Sequence, residues 1–157
     1  MQLNYKRIML FPNFPENSKV WVYAANRFFT EHESKIIQHN VDLFTKQWAA
    51  HGSGLVANGS ILHNSFIVLV ADENQVKASG CSVDSSVRFI KDIGKEFEID
   101  FFNRLHLLIE KKGEFKRIHF SELQTYSDWN LFNPLVQNLK ELRENWCIQI
   151  AESQFVK

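Results

Sequence analysis

The sequence is poor in cysteine and proline, and its charges cancel. Two cysteines in 157 residues cannot build a disulfide framework, and their spacing fits no metal site. So few cysteines suit a reducing compartment, and we expect a cytoplasmic protein. The 18 basic residues equal the 18 acidic ones, so electrostatics favour neither a nucleic-acid partner nor an anionic membrane.

Long apolar runs and glycine-rich loops are also missing. No apolar stretch reaches the ~18 residues needed to span a membrane, and the N-terminal run 8–11 is too short for the core of a signal peptide. None of the six glycines opens a P-loop, GxxxxGK followed by serine or threonine, so we do not predict ATP hydrolysis. No pattern indicates a cofactor.

What is present is core material. Apolar residues make up 45% of the chain, with 14 phenylalanines and four tryptophans, enough for one ordered domain. We interpret residues 1–157 as a single domain. It consists of an N-terminal arm (1–18) in which Phe11 and Phe14 dock on the body, an α+β core (19–120) and a C-terminal helical extension (121–157).

The predicted element order is β-α-β-β-α-β-β-α-α. The first and third strands, 19–24 and 66–71, are all-apolar and suit the centre of a sheet, whereas 55–61 is more polar and suits an edge. The first six elements match the split βαβ pattern of a ferredoxin-like antiparallel sheet. We therefore predict that fold, with an added C-terminal strand and two helices capped at Ser121–Gln124 and Asn133–Pro134.

Local signals predict the boundaries of these elements. Thr30–Glu33 is a capping box that starts the first helix, and His51–Gly52 is suited to end it. Asn58–Gly59 or His63–Asn64 turns the chain between strands two and three, and Asn-Gly is the stronger hairpin signal. Lys112–Glu114 predicts a second hairpin with its glycine at the turn.

The stretch 78–86 concentrates small polar and reactive side chains at the start of the second helix. In a ferredoxin-like fold, the end of the first helix and the loop 51–54 lie at the same end of the sheet as this stretch. Helix N-termini with serine hydroxyls bind anions, although a serine or aspartate there can simply cap the helix, with Ser82 or Asp84 as the cap. The predicted ligand-binding residues are Trp48, Ser79, Gly80, Ser82, Asp84, Ser85 and Ser86.

Cys81 and His51 form a second hypothesis at the same place. A helix N-terminus favours a thiolate, and a histidine can act as its base, with Asp84 as the candidate orienting group. Most cysteines in such positions are instead small core residues.

His106 and His119 lie on adjacent predicted strands and face each other, but no third ligand gives them zinc spacing.

Four segments, Val20–Tyr23, Trp48–Gly52, Ala78–Ile90 and Asp100–Arg104, resemble an uncharacterised family of small bacterial proteins whose members often carry the label "ABC transporter ATPase". The resemblance covers roughly residues 18–150 and is most specific at Ser79-Gly-Cys-Ser82. It implies no established activity.

Three functions from different classes remain open. The first is a non-catalytic binding module for a small anion or a partner peptide at Ser79–Ser86. The second is a thiol-dependent enzyme that uses Cys81 with His51. The third is a structural protein whose edge strand, Leu55–Ile61, pairs with a second copy of the chain.

Overall fold

Residues 10–156 are described by a computed structural model, and they fold into an α+β structure with antiparallel sheets, which confirms the predicted class. The strands and α-helices are β1 (Lys19–Ala24), α1 (Glu31–Gln47), β2 (Ala49–Ala50), β3 (Ser53–Gly54), β4 (Val56–Leu62), β5 (Phe66–Asp72), α2 (Gly80–Phe97), β6 (His106–Lys111), β7 (Glu114–His119), β8 (Asn130–Phe132), α3 (Leu139–Asn145) and β9 (Cys147–Gln149). Two 3-10 helices lie at Phe120–Tyr126 and Ile150–Glu152.

The first sheet has the order β1-β5-β4, so the two all-apolar strands are neighbours and β4 lies at an edge, as predicted. β1, which was predicted to be central, lies at the other edge of this sheet. β5 is buried from Phe66 to Ala71 because both faces of the sheet are covered. Residues of α1 and α2 pack on one face, and residues of α3 and of the second sheet pack on the other. This double cover explains why β5 is a continuous apolar run rather than an alternating one.

The strand expected to complete a ferredoxin-like sheet lies elsewhere. β6 belongs to a second sheet with the order β7-β6-β8-β9, so the ferredoxin-like topology is not confirmed. The outer side of β1 is instead approached by the loop before α3, where the Val20 N–H donates to the Gln137 carbonyl at 3.0 Å. Residues 121–157, expected to be mainly helical, supply β8 and β9.

Positive backbone φ angles mark the turns. Lys112 and Gly113 have φ of 49° and 84°, and they form the predicted β6–β7 hairpin. His51 and Gly52 have φ of 51° and 81°, yet they turn the β2–β3 hairpin rather than end α1, which stops at Gln47. The expectation failed because glycine favours a helix end and a hairpin turn for the same conformational reason.

Asn58–Gly59 is not a turn. It lies within β4, and the chain turns at His63 and Asn64, where φ is 54° and 49°. A methyl group on Gly59 would collide with the Val41 side chain. The glycine is therefore needed for the close approach of α1 to the sheet. In the sequence alone, an Asn-Gly pair in this role cannot be told from one in a hairpin turn.

The C-terminal caps also differ from the prediction. His119 and Glu122, rather than Ser121 and Gln124, cap a 3-10 helix. The only α-helix in the described part of residues 121–157 begins at Leu139, where the Asn138 side chain accepts the Glu141 N–H at 2.9 Å. An Asn-Pro pair suits a turn as well as a helix start, and here it lies in the loop after β8.

Aromatic plugs close the core. Phe11 is 8% exposed and belongs to the core cluster that includes Val20 and Leu139, and Phe14 packs against that cluster, so the described part of the arm docks as predicted. Residues 1–9 lie outside the described range. Phe101 fills the core under α2, where it meets Phe29. Within residues 10–156, no helix is long and apolar enough to cross a membrane.

Candidate functional site

Ser79 is the N-cap of α2, in place of the predicted Ser82 or Asp84. Its hydroxyl accepts the Ser82 N–H at 3.1 Å, and the Ser82 hydroxyl accepts the Ser79 N–H in return. The two serines therefore form a reciprocal capping box in which serine replaces the usual glutamate. The helix starts five residues earlier than an Asp84 cap would place it, so Asp84 lies in its second turn.

The hydroxyls beyond the cap serve the helix itself. Ser82 donates to the Ser79 carbonyl at 2.8 Å, Ser85 to the Ser82 carbonyl at 2.8 Å, and Ser86 to the Val83 carbonyl at 2.7 Å. Ser82 and Ser86 are also buried. These two side chains face the core, so a ligand at the surface of the described protein does not reach them.

Ser86 contacts Tyr23 of β1 instead of a ligand. The tyrosine hydroxyl lies 3.0 Å from the Ser86 hydroxyl, within hydrogen-bond distance. Burial raises the pKa of Tyr23, and its hydrogen bond with Ser86 opposes that shift. The pair is a neutral polar contact that joins β1 to α2.

Trp48 brings the predicted loops together. Its indole N–H donates to the Ser82 carbonyl at 2.8 Å, so the end of α1 meets the first turn of α2. The ring is only 2% exposed and packs edge-on against Trp21 at 5.1 Å. Trp48 therefore positions the site from within the core and presents no surface to a ligand.

Cys81 and His51 are both exposed. No hydrogen bond joins the thiol to the imidazole among the contacts of residues 10–156. Asp84 is exposed as well. These positions leave the thiol accessible to reagents but supply no base bonded to it, which a nucleophilic cysteine normally has.

The backbone at the start of α2 remains available. Gly80 and Cys81 are exposed, and their N–H groups have no acceptor in the described residues. The Glu73 carboxylate lies nearby and accepts the Ala78 N–H at 2.7 Å. The open helix end thus has two backbone donors, with an acidic group held just before it.

The histidine pair lies away from this end. His106 and His119 face each other across β6 and β7, as predicted, with ring centroids 5.5 Å apart. His119 also contacts the Ser121 hydroxyl through Nδ1, at 2.8 Å. The described residues contain no group of three or more His, Cys, Asp or Glu side chains that could hold a metal ion.

Sequence reasoning missed Arg117. This β7 residue donates to the Ala25 carbonyl and the Ser65 hydroxyl, which lie 92 and 52 residues away along the chain. No local motif marks such a residue because its partners come from other elements. The one available signal was an arginine two residues from Phe115, on the face of a predicted strand that turns to the core.

The chain matches no protein-family model, and no curated protein or solved structure is significantly similar to it.

Proposed function

We propose that the protein is a non-catalytic binding module that holds a small anion at the first turn of α2. The observation that carries the proposal is the pair of exposed N–H groups of Gly80 and Cys81, which have no internal acceptor in the described residues. Free N–H groups at a helix N-terminus attract anions through hydrogen bonds and through the helix dipole.

The surroundings favour an anion of low charge. Asp84 is exposed in the next turn, and Glu73 is bonded to the Ala78 N–H. Both carboxylates repel a multiply charged ligand. The buried hydroxyls of Ser82 and Ser86 add no donor. Recognition therefore rests on the two backbone N–H groups, which suit a monovalent carboxylate.

Proline at position 80 gives a direct test. It removes the Gly80 N–H, yet proline is favoured at the first position of a helix, Ser79 is already extended, and a Cβ at position 80 meets open space. We expect sodium acetate, at constant ionic strength, to shift the Gly80 and Cys81 amide resonances saturably. Gly80→Pro should weaken binding, measured at Cys81, whereas Gly80→Ala should not.

Non-saturable shifts at these two amides, or equal acetate affinity in Gly80→Pro and Gly80→Ala, would remove the support for this site. Asp84→Asn adds an independent comparison. Removal of the competing carboxylate should tighten acetate binding if the anion occupies the helix end.

The thiol enzyme is the second candidate because Cys81 is an exposed thiol at the second position of α2. The measurement is the alkylation rate of Cys81 against pH in a Cys147→Ala background, with and without His51→Ala. Fast alkylation below pH 7 that slows without His51 would favour the enzyme. A rate equal to that of an unstructured cysteine peptide would favour the binding module.

The contacts of Gln38 argue against pairing through the edge of β4. The Gln38 amide donates to the Gly59 carbonyl at 3.2 Å and accepts the Ile61 N–H at 2.9 Å. It thus occupies the backbone groups that a strand from a second copy would use. Edge pairing would require this side chain to leave, so we rank the structural function last.

A further inference from the structure

Arg117 is held between the two sheets by neutral partners. Its Nε–H donates to the Ala25 carbonyl at 3.3 Å, and Nη2 donates to the Ser65 hydroxyl. The guanidinium carbon lies 4.4 Å from the centre of the Phe28 ring. The side chain is half-buried, and its contacts lie where β1 ends and β5 begins, at the opposite end of the first sheet from α2's first turn.

No carboxylate among residues 10–156 forms an ion pair with Arg117. The ion pairs among residues 10–156 are Arg27–Glu33, Lys35–Glu31 and Lys111–Asp128, and none includes Arg117. Burial lowers the pKa of Arg117, since desolvation disfavours its charged form. Charges removed from water normally have an ionic partner.

Arg27, next to the same loop, shows the contrast. It donates to both oxygens of Glu33 at 2.8 Å, and this hydrogen bonding raises the pKa of Arg27. It also donates to the carbonyl of Phe28, the residue whose ring lies against Arg117. Thus one arginine beside Phe28 has its carboxylate within the described chain, and the other does not.

The internal hydrogen bonds of Arg117 use only part of its donors in the described residues. A guanidinium has five N–H groups in a planar fork. Ala25 and Ser65 engage Nε and Nη2 along one side, and Nη1 donates to no group in the described residues. The remaining N–H groups of Nη1 and Nη2 form the end of the fork, which binds a carboxylate with two parallel hydrogen bonds.

An apolar surface adjoins the fork. Phe28 is 42% exposed although it packs edge-on against Phe115 at 6.2 Å. We propose that Arg117 and Phe28 form a binding site for a small organic monocarboxylate, in which Arg117 holds the carboxylate and Phe28 contacts an apolar or aromatic body. A single unpaired cation matches a single negative charge, and the ring matches the rest of the ligand.

Benzoate tests both halves of the site. In the wild-type protein we expect benzoate to shift the Arg117 Nε–H resonance saturably, and to bind at least about fivefold more tightly than acetate, which lacks the ring. Benzyl alcohol, which lacks the carboxylate, should not produce this shift. Gly80→Pro should leave the benzoate shift at Arg117 unchanged. The experiment therefore tests the Arg117 site independently of the α2 site.

The matched variants are Arg117→Gln and Arg104→Gln, of which Arg104 is exposed. With shifts read at the Ser65 and Phe28 amides, Arg117→Gln should weaken benzoate binding at least about tenfold, and Arg104→Gln should not change it. Phe28→Ala should abolish the preference for benzoate over acetate. This variant alters an exposed side chain, so it remains informative if Arg117→Gln does not fold.

Two results would overturn the proposal. One is a non-saturable benzoate shift at Arg117 in the wild-type protein. The other is a saturable shift whose affinity survives both Arg117→Gln and Phe28→Ala. Either result would mean that Arg117 only fastens the second sheet to the loop after β1.

Discussion

The first turn of α2 and the surroundings of Arg117 differ in the distance along the chain over which their polar groups find partners. The hydroxyls of Ser82, Ser85 and Ser86 each donate to a carbonyl three residues earlier. Arg117 reaches acceptors 52 and 92 residues away. The cluster that is conspicuous in the sequence is largely self-satisfied, whereas the inconspicuous arginine keeps unused donors.

This difference shows that a high density of polar residues in the sequence does not indicate hydrogen-bonding groups that are available to a ligand. Serine and aspartate gather at helix starts because they satisfy the backbone there. Within the described residues, this leaves the N–H groups of Gly80 and Cys81 at the start of α2 for a ligand. A charged residue whose partners come from distant elements is held in place by the fold, and its remaining donors are available to a ligand.

The largest expected effect concerns Trp48, which joins the end of α1 to the first turn of α2. Trp48→Ala should lower the free energy of unfolding by about 3–5 kcal/mol because it empties a buried ring site. Trp48→Phe, which loses the indole N–H but keeps an aromatic ring, should cost about 1–2 kcal/mol. Urea denaturation measures both. A cost below about 1 kcal/mol for Trp48→Ala would show that the ring is not part of the core.

The intermediate effect concerns Arg117. Arg117→Met should cost about 2 kcal/mol, because it removes two hydrogen bonds between elements and a contact with the Phe28 ring. Arg104→Met, an exposed control, should remain within about 0.5 kcal/mol of wild type. Equal costs for the two variants would mean that the long-range contacts of Arg117 contribute nothing to stability.

The smallest effect is a pH dependence that separates the two arginines beside Phe28. The Arg27 guanidinium, with the Thr30 N–H, lowers the pKa of Glu33 from 4.5 to about 2. Because the folded-state pKa is depressed, the stabilisation by Glu33 is present above about pH 4.5 and is lost as the pH falls towards 2. Its size should be below about 1 kcal/mol, since the Arg27 side chain is 38% exposed.

Thermal unfolding from pH 6 to 3 measures this dependence. The stability difference between wild type and Glu33→Gln should shrink as the pH falls. The difference between wild type and Arg117→Met should stay constant over the same range, because Arg117 has no carboxylate partner among the described residues. A cost of Arg117→Met that shrinks in acid would reveal an acidic partner and would weaken the case for an unpaired arginine.

Much of the fold was predictable where a few neighbouring residues decide the conformation. The capping box of Thr30 and Glu33, the Lys112–Gly113 turn and the buried strand β5 all follow from local preferences. The hairpin of β6 with β7 was predictable, but the pairing of β6 with β8 was not, because β8 lies some 20 residues further along the chain. Gly59 was misread for a related reason, since only the packed α1 shows why a side chain is excluded there.

By itself, the sequence determined the α+β class and the starts of α1 and α2 to within a few residues. These properties arise from hydrophobic pattern, capping and turn preferences, which act between near neighbours. Only the tertiary structure decided which polar groups remain available. Burial turned Ser82 and Ser86 inwards, and the meeting of the two sheets placed Arg117 beside Phe28 with no carboxylate partner among residues 10–156. Desolvation and pairing depend on which distant surfaces meet, and no local pattern encodes that.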